Sequence, residues 1–351
     1  MIPGRVRGGW RVVAANAIAF LLLVVGTQLL ARQSSPWDPS AWAAPWTGDV
    51  VLVLATFLFL GLSVTMPLHA GVVNLGVYAQ FLAGFAAAAA IAHSSALDPG
   101  ARVPLGVLAG GGAGALTGVV ILWLRERFAV HDILSGLLLG GALAPVARAF
   151  SLAPAALPAL TFGATPYQGA PPWAPGIGLG NEALLTGGVA LLLVGILIAL
   201  SFGHVLRASA PGFELRIVGS NPLAAVAAGV DVDEAQLWML GAGGACAGLA
   251  GALQLWTHVS PALERWPVPL AFAGITIAVY GMASIRGVLV ASLLFALWLN
   301  APGTLVSLGW PEWSAAVGAL LVLPALWTLP RLLPDQGAPR ALWRTRHRET
   351  Y

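Results

Sequence analysis

Ten apolar runs, at about 12–30, 50–68, 71–92, 104–124, 133–150, 183–203, 236–257, 268–284, 286–302 and 314–330, divide this sequence and leave little chain for anything else. A helix rises about 1.5 Å per residue, so roughly 20 apolar residues cross a hydrocarbon core about 30 Å thick. The runs predict an all-α, polytopic membrane bundle of about ten transmembrane helices. Composition agrees: 58% of residues are hydrophobic and 9% charged, whereas soluble domains are about a quarter charged. Two boundaries carry their own signals. Met66-Pro67 ends or kinks the second run, and 268–302, which carries only Arg286, reads either as one long tilted helix plus a re-entrant piece or, preferred here, as two spans with a tight turn at "ASIRG".

Arginine sets the orientation. The 17 basic residues are all arginine. With the N-terminus in the cytoplasm, ten spans place Arg32, Arg102, Arg148 and Arg265 outside and the other 13 inside, as the positive-inside rule requires. Both termini are then cytoplasmic. Arg5, Arg7 and Arg11 ahead of the first run have the order of a signal peptide, but the run is too long and lacks a clean cleavage site, so it reads as a retained span. The organisation expected is a membrane domain over 1–332, with a cytoplasmic loop at 204–235 and an extracytoplasmic proline-rich loop at 151–182, followed by an arginine-rich cytoplasmic tail at 333–351.

Several chemistries are excluded or disfavoured. A phosphate-binding loop of the G-x-x-x-x-G-K-[ST] type needs a lysine and the chain has none, so ATP hydrolysis, if it drives this protein, belongs to a partner chain. No paired-carboxylate cluster, H-E-x-x-H or nucleophile elbow is present, which argues against an enzyme and calls for no cofactor. The single cysteine, Cys246, permits neither an internal disulfide nor a multi-cysteine metal site. A net charge of +3 on so few charged residues, with no basic run, gives no nucleic-acid footprint. All 14 acidic residues fall in loops or at span ends. Carriers coupled to protons or sodium commonly keep a carboxylate near the midplane, and none is seen here.

Inside the runs, Gly110, Gly114 and Gly118, and Gly244 and Gly248, lie at the spacing of close helix–helix contacts. Polar residues there are few. Asn74, Gln80, Tyr280 and Asn300 are candidates for a translocation path, since each can hydrogen-bond a neutral polar solute; each can equally tie two helices together.

The loop after the sixth run contains "GFELRIVGSNPLAAVAAGV", residues 212–230. Asn221 is a good N-cap, Pro222 suits the first helical turn, "LAAVAA" forms helix readily and Gly229 suits a C-terminal cap. A helix of about two turns, roughly 12 Å, is predicted over 221–229, too short to cross a bilayer.

This stretch resembles the cytoplasmic loop of ABC importer permeases of the branched-chain amino acid, ribose and nucleoside type. Their pattern G-x-E-x-R-A-x-G-x-N-x-x-A-A-x-x-x-G-[IV] is matched by Gly212, Glu214, Arg216, Gly219, Asn221, Ala224, Ala225 and Gly229, with Ile217 in place of an alanine. Two further stretches are similar to the nucleoside branch: "LAFAGITIAVYGMASIRG" through Gly274, Ile275, Ile277, Ala278, Gly281 and Gly287, and "VVNLGVYAQFLAG" through Asn74, Gly76, Gln80 and Gly84. The chain departs from that branch at Tyr78 and Ala79, where many relatives have glutamate and glycine, and at Asp132 and Gly140, where they have glutamate and asparagine.

The resemblance implies a permease subunit in the bacterial inner membrane, importing a small polar solute, nucleoside or sugar favoured, by alternating access. It implies that Gly212, Glu214, Arg216, Gly219, Asn221, Pro222, Ala224, Ala225 and Gly229 couple this chain to an ATPase subunit, the short helix being the coupling helix seated in it. The partners implied are that ATPase, a second permease, an extracytoplasmic solute-binding protein and the lipid bilayer. The alternative is a self-sufficient secondary carrier or facilitator for a small polar solute.

Overall fold

The computed structural model describes residues 48–92, 94, 97–128, 130–152, 181–255 and 267–307. The expected spans at 12–30 and 314–330, nearly all of the proline-rich loop and the tail at 333–351 lie outside the described residues. Among the described residues there are ten helices and no strand. They are α1 (Gly48–Leu68), α2 (Val77–Ala92), α3 (Pro99–Phe128), α4 (Asp132–Leu152), α5 (Asn181–Ala208), α6 (Ala210–Ser220), α7 (Pro222–Ala227), α8 (Val232–Gln254), α9 (Pro267–Tyr280) and α10 (Ile285–Ser307).

Each apolar run from the second to the ninth is occupied by a helix. Segments Val51–Leu68, Ala101–Phe128, Gly187–Ala208 and Val232–Gln254 are long and apolar enough to cross a membrane. Val77–Ala92, Asp132–Ala147, Ala271–Tyr280 and Ile285–Ala296 are shorter apolar helical stretches. The third run differs from expectation: its helix begins at Val77 rather than at 71, because 72–75 have no regular secondary structure and carry the chain from the end of α1 to the start of α2.

The core is built around α1 and α2, where Phe57, Phe59, Leu60, Phe81 and Phe85 are buried. α8 packs on α1, α2 and α3, and α5, α9 and α10 pack on α1. Where α3 meets α8 the two backbones touch. A Cβ added at Gly114 would lie 2.6 Å from the Gly248 Cα, and one at Gly118 2.6 Å from the Leu240 carbonyl oxygen. Gly110 faces Ala252 in the same way, so the glycines spaced four apart on α3 answer small positions spaced along α8. Lipid offers apolar side chains as good a home as protein does, so membrane helices gain most from such close approach.

The outward faces are apolar. Leu108, Leu116 and Trp123 on α3, Leu137 and Leu138 on α4, and Leu193 and Leu197 on α5 are exposed. In water such continuous apolar faces would be an aggregation hazard; they suit a lipid or protein-covered surface. The turn between α9 and α10 is as tight as "ASIRG" suggests. Gly281 and Gly287 press together there, the Ser284 hydroxyl accepts from the Gly287 amide at 3.2 Å, and Met282 and Ala283 adopt positive φ of 52° and 49°.

Candidate functional site

The 204–235 loop is a stack of two short helices between two long ones. α5 continues to Ala208, and Ser209 then caps a new helix, its hydroxyl accepting from the Gly212 amide at 3.1 Å. The sequence reading did not separate this α6; the signal was present in Ser209 followed by Pro211 at the second helical position. Gly212 fits because α6 folds back against the last turns of α5: a Cβ there would lie 2.7 Å from the Leu206 Cα. Leu215 and Val218 are buried beneath α6, while Phe213, Glu214 and Arg216 face outward, with the Arg216 guanidinium 5.9 Å from the Phe213 ring centre.

α7 matches the predicted helix closely. The Asn221 side chain accepts from the Ala224 amide at 3.1 Å, and Pro222 occupies the first turn. At its other end Gly229 has φ +78°, with Gly229 N–H donating to Val226 O at 3.0 Å and Val230 N–H to Ala225 O at 2.9 Å, the paired bonds of a Schellman end. Ala225 is the one fully buried residue of α7, and Leu223 and Val226 are exposed. A six-residue helix, about 9 Å long, thus sits on its own subunit through an alanine and offers two large aliphatic side chains outward.

The path candidates divide. Asn74 and Gln80 come together: the Asn74 Nδ2 donates to Gln80 Oε1 at 2.7 Å and to Ser63 O at 3.0 Å. Both side chains are buried, and the Asn74 Oδ1 and Gln80 Nε2 have no hydrogen-bond partner among the described residues. Tyr280 does not join them; its ring meets Phe295 edge-on at 5.7 Å and its buried hydroxyl has no partner among the described residues. Asn300 falls in α10, in a part where only the backbone is described.

Two departures from the family pattern prove to be neighbours. The Tyr78 ring lies over Gly140, where an added Cβ would come within 2.8 Å of its Cε1, and it stacks on Phe272 at 6.3 Å. A large ring at 78 thus requires glycine at 140.

Beside the turn after α1 a polar network joins α3, α4 and α8. Arg125 pairs with Asp132 at 3.2 Å and donates to Gln236 Oε1 at 2.6 Å, and the Gln236 Nε2 reaches Ala70 O at 3.4 Å. This network was not anticipated as functional, whereas Gly212, Glu214, Arg216 and Gly219, expected among the coupling residues, fall in α6. Among the described residues no group of acidic, histidine or cysteine side chains could hold a metal.

The described residues form an all-helical bundle with apolar outer faces and a doubly capped short helix at one end. Residues 47–326 match the family described as the branched-chain amino acid transport system permease component, and the chain belongs to that family. The guanosine ABC transporter permease protein NupP of Bacillus subtilis is 26% identical over 81% of this chain and 81% of its own length. The glucose ABC transporter permease protein TsgB13 of Haloferax volcanii is 31% identical over 88% and 85%. An inward-facing structure of a metal-chelate type ABC transporter aligns with 90% of this chain and 98% of its own, at 14% identity and a TM-score of 0.47; the assignment rests on the sequence relatives. The chain is the permease subunit of an ABC importer, a multi-pass protein of the inner membrane and a transport subunit rather than an enzyme. Permeases of this family work with ATPase and solute-binding partners.

Proposed function

We propose that this permease imports a nucleoside or sugar, with α7 as the helix through which a separate ATPase subunit drives it. The observation that carries the coupling role is the form of α7: capped at both ends, seated through Ala225, with Leu223 and Val226 turned outward. Exposed aliphatic residues on a rigid short helix suit a groove in a partner, which gains from burying them at little ordering cost. Glu214 and Arg216 on the adjoining face of α6 would supply the polar rim. The solute class rests on the guanosine and glucose permeases among the relatives.

In this reading the chain has ten spans with both termini cytoplasmic, the proline-rich loop meets the solute-binding protein, the 333–351 tail lies in the cytoplasm, and a second permease completes the pathway. Tyr280 and Asn300 border that pathway. Asn74 and Gln80 shape it from behind, by fixing where α2 begins.

The test is co-purification from native membranes. Leu223→Asp with Val226→Asp should leave membrane yield unchanged and reduce the recovered ATPase at least about tenfold, an interface hot-spot effect. Uptake of labelled guanosine and glucose by cells carrying the intact complex reads the solute. Undiminished ATPase recovery with the double variant would sink the coupling role of α7; transport of neither probe would sink the assigned solute class.

A further inference from the structure

We propose that the turn His69–Gly71 is the relay that carries displacement of α7 to the buried Asn74–Gln80 pair. The inference rests on the reading of α7 as the ATPase-docking helix and adds the route by which its motion enters the membrane.

The turn is built to be gripped. α1 ends in a Schellman arrangement, with Gly71 N–H on Leu68 O at 3.1 Å, Val72 N–H on Pro67 O at 3.1 Å and Gly71 at φ +74°. A compact turn then presents the carbonyls of His69 and Ala70 to the helices on either side of α7. From the preceding side, the Gly219 backbone at the end of α6 lies directly against His69 O, leaving no room for a side chain, and a Cβ at Gly71 would sit 3.6 Å from the Gly219 Cα. From the following side, Gln236 in the second turn of α8 reaches Ala70 O while Arg125 holds its other end. The His69 ring anchors the turn to α1 through Thr65 O at 2.9 Å and lies edge-on to Phe202 of α5. Thus α6 and α8, the two supports of α7, meet the same three residues.

Beyond the turn, 72–75 lie outside any helix. Asn74 is only three residues beyond Gly71, at most about 11 Å of chain, so movement at Gly71 has little length over which to be absorbed before it reaches Asn74. Gly76 at the far end is clamped by α4, where a Cβ at Gly136 would lie 2.7 Å from the Gly76 Cα. The Asn74 Oδ1 and Gln80 Nε2, both buried, are left without partners among the described residues. Buried amides are normally satisfied; a half-satisfied pair at the end of this short segment fits an element with a second arrangement, in which those atoms find partners.

The experiment uses the whole complex, purified through this chain with its ATPase and reconstituted in nanodiscs. Cys246 is replaced by alanine and a reporter cysteine is placed by Val73→Cys, in the segment between α1 and α2. Its reaction with N-ethylmaleimide is measured without nucleotide and with ATP and vanadate. The parent should show a difference of at least about fivefold between the two states, and Gln236→Ala and Gly71→Ala should each cut it to less than about twofold. ATPase recovery and hydrolysis should be retained in both.

Gln236→Glu sharpens the assignment, since a carboxylate still accepts from Arg125 but cannot donate to Ala70 O: it should behave like alanine. Gln236→Ala removes only polar contacts of a half-buried side chain, and so keeps the test open if Gly71→Ala fails to reach the membrane. Three results would overturn the relay: no nucleotide-dependent difference in the parent, a difference preserved in the Gln236 and Gly71 variants, or loss of the ATPase itself in those variants, which would make the turn a support for docking. A Val226→Asp complex measured alongside isolates the other failure. Full ATPase recovery there would overturn the docking reading whatever the reporter shows.

Discussion

The α3–α8 contact and the α6–α7 surface are both rich in small residues, and they use them for opposite ends. In the interior, Gly114, Gly118 and Gly248 let two long helices touch backbone to backbone, and any side chain would strike the opposite main chain. At the surface, Gly229 has nothing within 4 Å of where its Cβ would be and is needed for its φ of +78°. The first kind of glycine serves the stability of the bundle. The second fixes the ends of a helix whose large residues, Leu223 and Val226, are left for something else to cover.

That difference is broken most violently from the inside. Gly114→Leu would drive a branched side chain into the Gly244–Gly248 backbone, an overpacking cost of about 3 kcal/mol or more. The expected outcome is loss of the folded, monodisperse species, read by size-exclusion chromatography in mild detergent. The equivalent change at the surface should be far milder. Gly229→Ala meets no neighbour and carries only the left-handed backbone penalty, about 1–2 kcal/mol. Membrane yield should be unchanged, while amide hydrogen exchange across 222–230 should quicken about five- to thirtyfold, the factor that this penalty sets if α7 opens locally.

The smallest effect expected is from pH, where the turn after α1 lies between these two regions. Burial lowers the pKa of His69 below its ordinary 6.5, outweighing the opposing pull of the Thr65 carbonyl. The folded state therefore favours the neutral ring. Its contribution is whole above 6.5 and is lost as pH falls from there through the lowered folded value. Thermal unfolding of the reconstituted chain should move to lower temperature between pH 7 and 5.5, and His69→Gln should flatten that dependence.

Much of this was legible in the residues. The positions of the long helices α1–α5 and α8–α10 follow from length and apolarity, and α7 follows from Asn221, Pro222 and Gly229, because caps are local chemistry that the chain writes out in order. Helix packing was legible where glycines recur every fourth residue. What escaped the sequence depends on what comes near in space. The start of α2 at Val77 is set by Asn74 bonding to Ser63 and Gln80, and no propensity scale sees that. The ring at Tyr78 and the missing side chain at Gly140 are separate departures in the sequence and one contact in the fold. The Arg125–Gln236 bond joins residues more than a hundred positions apart. α6 was missed for a different reason: it follows α5 after a single residue, so its cap at Ser209 sits in a stretch that reads as loop once the apolar run ends at 203.

The most direct measurement places a photoreactive benzoyl-phenylalanine at Val226 and irradiates native membranes, identifying any protein joined to it by mass spectrometry. The expected result is an adduct with a chain that carries an ATP-binding signature. An adduct confined to this chain, with the ATPase present in the same membranes, would contradict the claim that α7 is where an energy-supplying subunit takes hold.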